Sequence, residues 1–121
     1  MVSIFPPEAP IEMSRPFYTS TDLNTYPDFK EYAPEAFEAY NAWSAAAFAE
    51  GALGKKAKEL IAFAVAHAIQ CPYCIDVHAK GASSAGATRE EMAEAIHVAA
   101  VIRGGASLVH SVQALQSLEE E

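Results

Sequence analysis

Cysteine is scarce in this chain: two of 121 residues, Cys71 and Cys74, with two residues between them in "QCPYCIDVHAK". No disulfide framework can be built from one such pair, and a bridge across two residues closes too small a loop to stabilise a fold much. Basic residues are also few. Eight Lys and Arg stand against sixteen Asp and Glu, a formal net charge of −8 with no basic run denser than Lys55, Lys56 and Lys58. That balance argues against a nucleic-acid partner, since phosphate contacts need clustered cations. Long apolar runs are missing too. The longest, "LIAFAVAHAI", falls far short of the roughly 20 residues of a bilayer span, so no membrane partner is expected. "MVSIFPPEAPIEM" lacks the charged start and apolar core of a signal peptide. The expected location is therefore the cytoplasm, where a close cysteine pair is more often catalytic or metal-binding than a staple.

Half of the residues are hydrophobic and a fifth charged, the balance of a globular chain whose length supports one core. Residues 1–20 carry Pro6, Pro7, Pro10 and Pro16 with little periodicity and read as an extended arm, mobile or laid on a neighbouring subunit. Residues 21–121 read as a single all-α domain, with no stretch alternating as a half-buried strand would.

"TDLNTYPDFKEY" is a short helix broken or kinked near Pro27. "PEAFEAYNAWSAAAFAEG" starts at Pro34 and stops at Gly51, with Phe37, Tyr40, Ala47 and Phe48 on a buried face. "KKAKELIAFAVAHAI" is so apolar after Glu59 that burial nearly all round is expected. "PYCIDVHAKGASSAG" forms a shorter helix closed by Gly86. "TREEMAEAIHVAAVIRGG" opens on a Thr88/Glu91 capping box and is expected to stop at Gly104 and Gly105. "SLVHSVQALQSLEEE" is a last amphipathic helix with Leu108, Val112, Leu115 and Leu118 on one stripe. The sum is a bundle of five to six helices.

Pro72 suits a first helical position, which makes Cys71 the N-cap and puts Cys74 in the first turn. Free N–H groups and the helix dipole there favour a thiolate. His78 lies one turn beyond Cys74 on the same face and can take its proton. Glu59 opens an apolar helix and needs a partner. If it touches His78, a relay from Glu59 through His78 to Cys74 is complete; alone, it is a solvated first-turn carboxylate. Tyr73 either orients a substrate or packs. His67, His97 and His110 lie among apolar neighbours and read as structural. Zinc would take Cys71, Cys74 and His78 as three ligands, but no second cluster supplies the fourth, so no metal is expected.

Glu59, Cys71-Pro72-Tyr73-Cys74 and His78 follow the order Glu-x11-Cys-x2-Cys-x3-His. This resembles the alkylhydroperoxidase D-like (AhpD-like) branch of the carboxymuconolactone decarboxylase superfamily, with the similarity running through residues 55–110. The resemblance implies an all-α fold assembled into homo-oligomers, trimers or hexamers. It implies a thiol peroxidase or disulfide reductase without cofactor, metal or haem. In such proteins the residue at Cys74 meets the hydroperoxide, Cys71 resolves it as a disulfide, and Glu59 with His78 relays the proton. The expected partners are a small hydroperoxide and a dithiol reductant, lipoyl or thioredoxin-like. The best-studied members carry histidine where this chain has Tyr73, and a phenol titrating near ~10 is a poor acid or base at neutral pH. The alternatives are a lactone decarboxylase, which generally lacks the pair, and a non-catalytic zinc-binding or assembly protein.

Overall fold

The computed structural model describes residues 18–119, so most of the expected N-terminal arm lies outside the described residues. A 3-10 helical segment, Ser20–Glu31, is followed by five α-helices: α1 (Pro34–Phe48), α2 (Lys55–Ala68), α3 (Pro72–Ser84), α4 (Arg89–Val109) and α5 (Ser111–Glu119). No strand occurs among the described residues. Helix α2 is the centre of the bundle, packing chiefly on α3 and α4, while the 3-10 segment lies on α1 and touches α3. Pro27 sits inside that segment rather than breaking it.

The α2–α3 turn is built by a Schellman ending. Gln70 adopts φ 59°, the Cys71 N–H donates to Ala66 O at 3.0 Å, and the Gln70 N–H donates to His67 O at 3.2 Å. These bonds satisfy the last carbonyls of α2. A left-handed conformation at a residue other than Gly carries strain, and here it directly precedes the first cysteine. Cys71 thus finishes one helix and caps the next. Gly86 (φ 95°) closes α3 in the same way, with the Ala87 N–H donating to Ala82 O at 2.9 Å.

The Thr88/Glu91 box forms as expected: the Glu91 N–H donates to Thr88 Oγ1 and the Thr88 N–H to Glu91 Oε1, each at 3.1 Å. Glu91 also pairs with Lys56 of α2 at 2.8 Å.

Three expectations are corrected. Helix α4 does not stop at Gly104 and Gly105 but runs on to Val109, with the break at His110. Glycine is only weakly unfavourable inside a helix, and Arg103 spends its guanidinium on Ala68 O at the end of α2 rather than on its own last turn. Helix α2 is not buried all round. Phe63 and Ala66 are buried, while Ile61, Val65 and Ile69 are at least half exposed. Helix α1 buries no residue fully, Tyr40 being 53% exposed. Among the described residues only Phe63, Ala66, Ala82 and Ala99 form a buried core.

The Lys56 ammonium, with the Thr88 N–H, holds the Glu91 carboxyl below its ordinary value of 4.5. A depressed carboxyl adds stability above that value and loses it as pH falls through the folded-state pKa. Glu91→Gln is therefore expected to lower the melting temperature at neutral pH, with the gap to the parent closing in acid. Melting curves between pH 7 and pH 3 check this, and a gap independent of pH would contradict it.

Candidate active site

Pro72 opens α3, and the Cys71 Sγ accepts the Cys74 N–H at 3.2 Å, so a sulfur performs the N-cap task usually left to an oxygen. The two Sγ atoms lie within disulfide-forming contact, and the Cα atoms are 5.3 Å apart, inside the usual range for such a bridge.

One turn later His78 meets Glu59. The ring Nδ1 stands 2.9 Å from Glu59 Oε2. A carboxylate only accepts, so Nδ1 carries the hydrogen and Nε2 is left to exchange a proton. Both side chains are largely shielded, 22% exposed for His78 and 13% for Glu59. Glu59 is therefore no solvated first-turn carboxylate; its oxygen crosses the α2–α3 interface at the point where α3 carries Gly81. A Cβ at Gly81 would stand 2.5 Å from Glu59 Oε2, well inside contact distance. The missing side chain makes room for the carboxylate.

The face of the His78 ring is stacked on Phe48, planes 3° apart and centroids 5.2 Å apart. Phe48 is the last residue of α1. Lys58 of α2 donates to the carbonyls of Ala47, at 2.9 Å, and Ala49, on either side of it. Sequence reasoning puts Phe48 on a buried helix face and Lys58 in a basic run, but assigns neither of them, nor Gly81, to the site. Nothing in the spacing of the motif points to them; only the packing of α1 and α3 on α2 brings them in.

Cys74 and His78 open onto two hollows. One, about 440 Å³, is walled by Phe48, Leu53, Ile61, Val65 and Ile69. The other, about 290 Å³, lies beneath the 3-10 segment and is walled by Leu23, Tyr26, Tyr40, Tyr73 and Val77. Cys71 lines neither. Tyr73 donates its hydroxyl to Asp22 Oδ2 at 3.2 Å and meets Tyr18 edge-on at 5.4 Å. The same Asp22 oxygen accepts the Thr19 N–H at 3.0 Å. Tyr73 thus ties the 3-10 segment to α3 and also walls the second hollow.

The remaining histidines are elsewhere. His67 is bonded through Nδ1 to Phe63 O at 2.8 Å, and His110 lies 3.2 Å from Gln113 Oε1. His97 is exposed on α4. Among the described residues no group of three or more His, Cys, Asp and Glu is arranged to hold a metal ion.

The carboxymuconolactone decarboxylase family profile matches residues 34–117, which span α1 to α5. A Paracoccus denitrificans protein named "Uncharacterized protein 4 in cox locus" is 53% identical over 83 residues, 69% of this chain and 75% of its own. An alkyl hydroperoxide reductase AhpD of Mycobacteroides abscessus is 42% identical over 57 residues, 47% of this chain and 33% of its own length. The crystal structure of an apo carboxymuconolactone decarboxylase family protein from Legionella pneumophila superposes with a TM-score of 0.66 at 40% identity. It covers 84% of this chain and 91% of its own.

Replacing Gly81 by Ala tests the crossing point. The obstructing atom is the far end of a flexible side chain, so Glu59 moves aside cheaply, and Ala improves α3 by up to ~1 kcal/mol. The variant is expected to melt no lower than the parent while losing the Glu59–His78 hydrogen bond. Thermal melts beside the His78 Nδ1–H resonance read both, and an unchanged resonance would refute the assignment.

Proposed function

Because the chain belongs to the carboxymuconolactone decarboxylase family, which includes enzymes, we propose that it is a thiol-dependent peroxidase acting on small organic hydroperoxides. The observation that carries this reading is the 2.9 Å Glu59–His78 contact one helical turn from Cys74, the cysteine that faces both hollows. The similarity to an alkyl hydroperoxide reductase supports it.

In this mechanism His78, oriented by Glu59, accepts the Cys74 proton at Nε2. The thiolate attacks the terminal oxygen of the hydroperoxide; the O–O bond breaks, the alcohol leaves with the proton returned by His78, and Cys74 becomes a sulfenic acid. Cys71 then attacks that sulfur, releasing water and forming the Cys71–Cys74 disulfide. Its N-cap position favours the thiolate needed for the attack. An external dithiol, lipoyl or thioredoxin-like, returns both cysteines to thiols by exchange and is itself oxidised. The cytoplasm supplies such reductants.

The working form is a homo-oligomer, a trimer or hexamer. Val98, Val101, Ile102, Leu108, Val112 and Leu115 are each at least half exposed on α4 and α5, the kind of apolar exposure that marks an interaction surface. The helical stretch Arg89–Glu119 is long and apolar enough by composition to cross a bilayer, and only 6% of its most apolar 18-residue window is buried. Glu90, Glu91 and Glu94 near its start favour a second copy as the occupant.

Cys74→Ser is expected to abolish peroxide consumption, whereas Cys71→Ser leaves one oxidation per chain without recycling. Peroxide loss against a dithiol reductant measures this, and normal turnover by the Cys74→Ser protein would overturn the assignment. Sedimentation of the full chain is expected to give an oligomer that Val101→Glu with Leu115→Glu dissociates. A monomer, or pelleting with lipid vesicles instead, would refute the self-assembly.

A further inference from the structure

A carboxylate on one edge does not by itself fix an imidazole. The Glu59 contact holds Nδ1, but the ring can still swing about that hydrogen bond, and its other nitrogen swings furthest. A second restraint is needed on the ring face, and the structure has one: Phe48, parallel to His78 within 3°. Its own helix holds it only at the last turn, where the Ala49 N–H donates to Ala45 O at 3.0 Å. Helix α1 ends at Phe48, and Ala49 is already extended (φ −62°, ψ 144°). The last carbonyls of a helix lack intrahelical partners, and such ends fray.

Lys58 meets that need. Its ammonium donates to the carbonyls of Ala47 and Ala49, the residues on either side of Phe48. A cation at a helix C-terminus also opposes the dipole there. Lys58 directly precedes Glu59 on α2, so consecutive residues of one helix hold the two restraints on His78, one by contact and one through Phe48.

We propose that Lys58 and Phe48 are a positioning pair for His78: Lys58 pins the end of α1 so that the Phe48 ring lies on the imidazole and aims its free nitrogen at Cys74. This rests on the reading of His78 as the group that activates Cys74. The ordinary alternative is that Phe48 merely walls the hollow and Lys58 merely ties a loop. The two differ in what happens to His78 when Lys58 is replaced.

The experiment uses the reduced full chain in a Cys71→Ser background, so that Cys74 is the one reacting thiol, and compares Lys58→Met, Lys58→Arg, Phe48→Leu and Phe48→Tyr. Two quantities are read: the ring-proton resonances of His78, which a stacked aromatic ring displaces, and the rate of Cys74 alkylation by iodoacetamide. Lys58→Met and Phe48→Leu are expected to abolish the ring displacement and slow alkylation by up to about 100-fold, the loss that a 1 Å misplacement can cause. Lys58→Arg and Phe48→Tyr are expected to restore both. Unchanged His78 resonances and alkylation in Lys58→Met would overturn the proposal. Should Lys58→Met fail to fold, Phe48→Leu against Phe48→Tyr decides by the same two readings. Alkylation does not require a peroxide. A parent protein that ignores hydroperoxides yet shows this pattern would refute the peroxidase and keep the positioning pair.

Discussion

The meeting of Glu59 with His78 across the α2–α3 interface is the constraint on which the site depends. A carboxylate taken this far out of water needs a partner, and His78 is its partner at 2.9 Å. For that contact to exist, α3 must start within a few residues of the end of α2 and return along it. The turn through Gln70 does this, at the expense of a left-handed backbone at a residue that is not glycine. Cys71 follows at once as the cap of α3. The two cysteines therefore sit at the strained corner, while Glu59 and His78 meet further along the two helices that it joins.

The same corner separates the roles of the two sulfurs. Cys71 accepts a backbone N–H at the helix start and stands away from both hollows; Cys74 faces them beside His78. Two sulfurs three residues apart thus occupy unlike surroundings, one capping a helix start and the other facing both hollows beside an imidazole.

Much of this was legible in the sequence because helical spacing is geometry. Cys74 and His78 at i and i+4 must share a face, Pro72 after Cys71 marks a helix start, and Thr88 with Glu91 announces a box that forms as expected. Glu59 could be suspected but not assigned, since the approach of two helices is not written in either one. Phe48, Lys58 and Gly81 carry no signal of their own: an aromatic at the end of an alanine-rich helix, a lysine among lysines, a glycine among small residues. The misreadings have a common source as well. Apolar pattern predicts which faces avoid water, not whether the same chain covers them, so α1 and α2 looked more buried than this single chain makes them. Gly104 and Gly105 resembled a stop because a helix end is set by what accepts its last carbonyls, which the local sequence does not show.

Gly81 places the protein's function at odds with its own thermodynamics. In the middle of a helix, glycine is about the least favourable residue short of proline, and alanine would serve α3 better by up to ~1 kcal/mol. Yet the space it leaves is occupied by the oxygen that Glu59 presents to His78. Any selection acting on foldedness alone, whether a thermal screen or a redesign scored for stability, would fill this position first and register an improvement. The protein so obtained would keep every residue of the cysteine–histidine–glutamate signature and lose the arrangement that gives the signature its meaning.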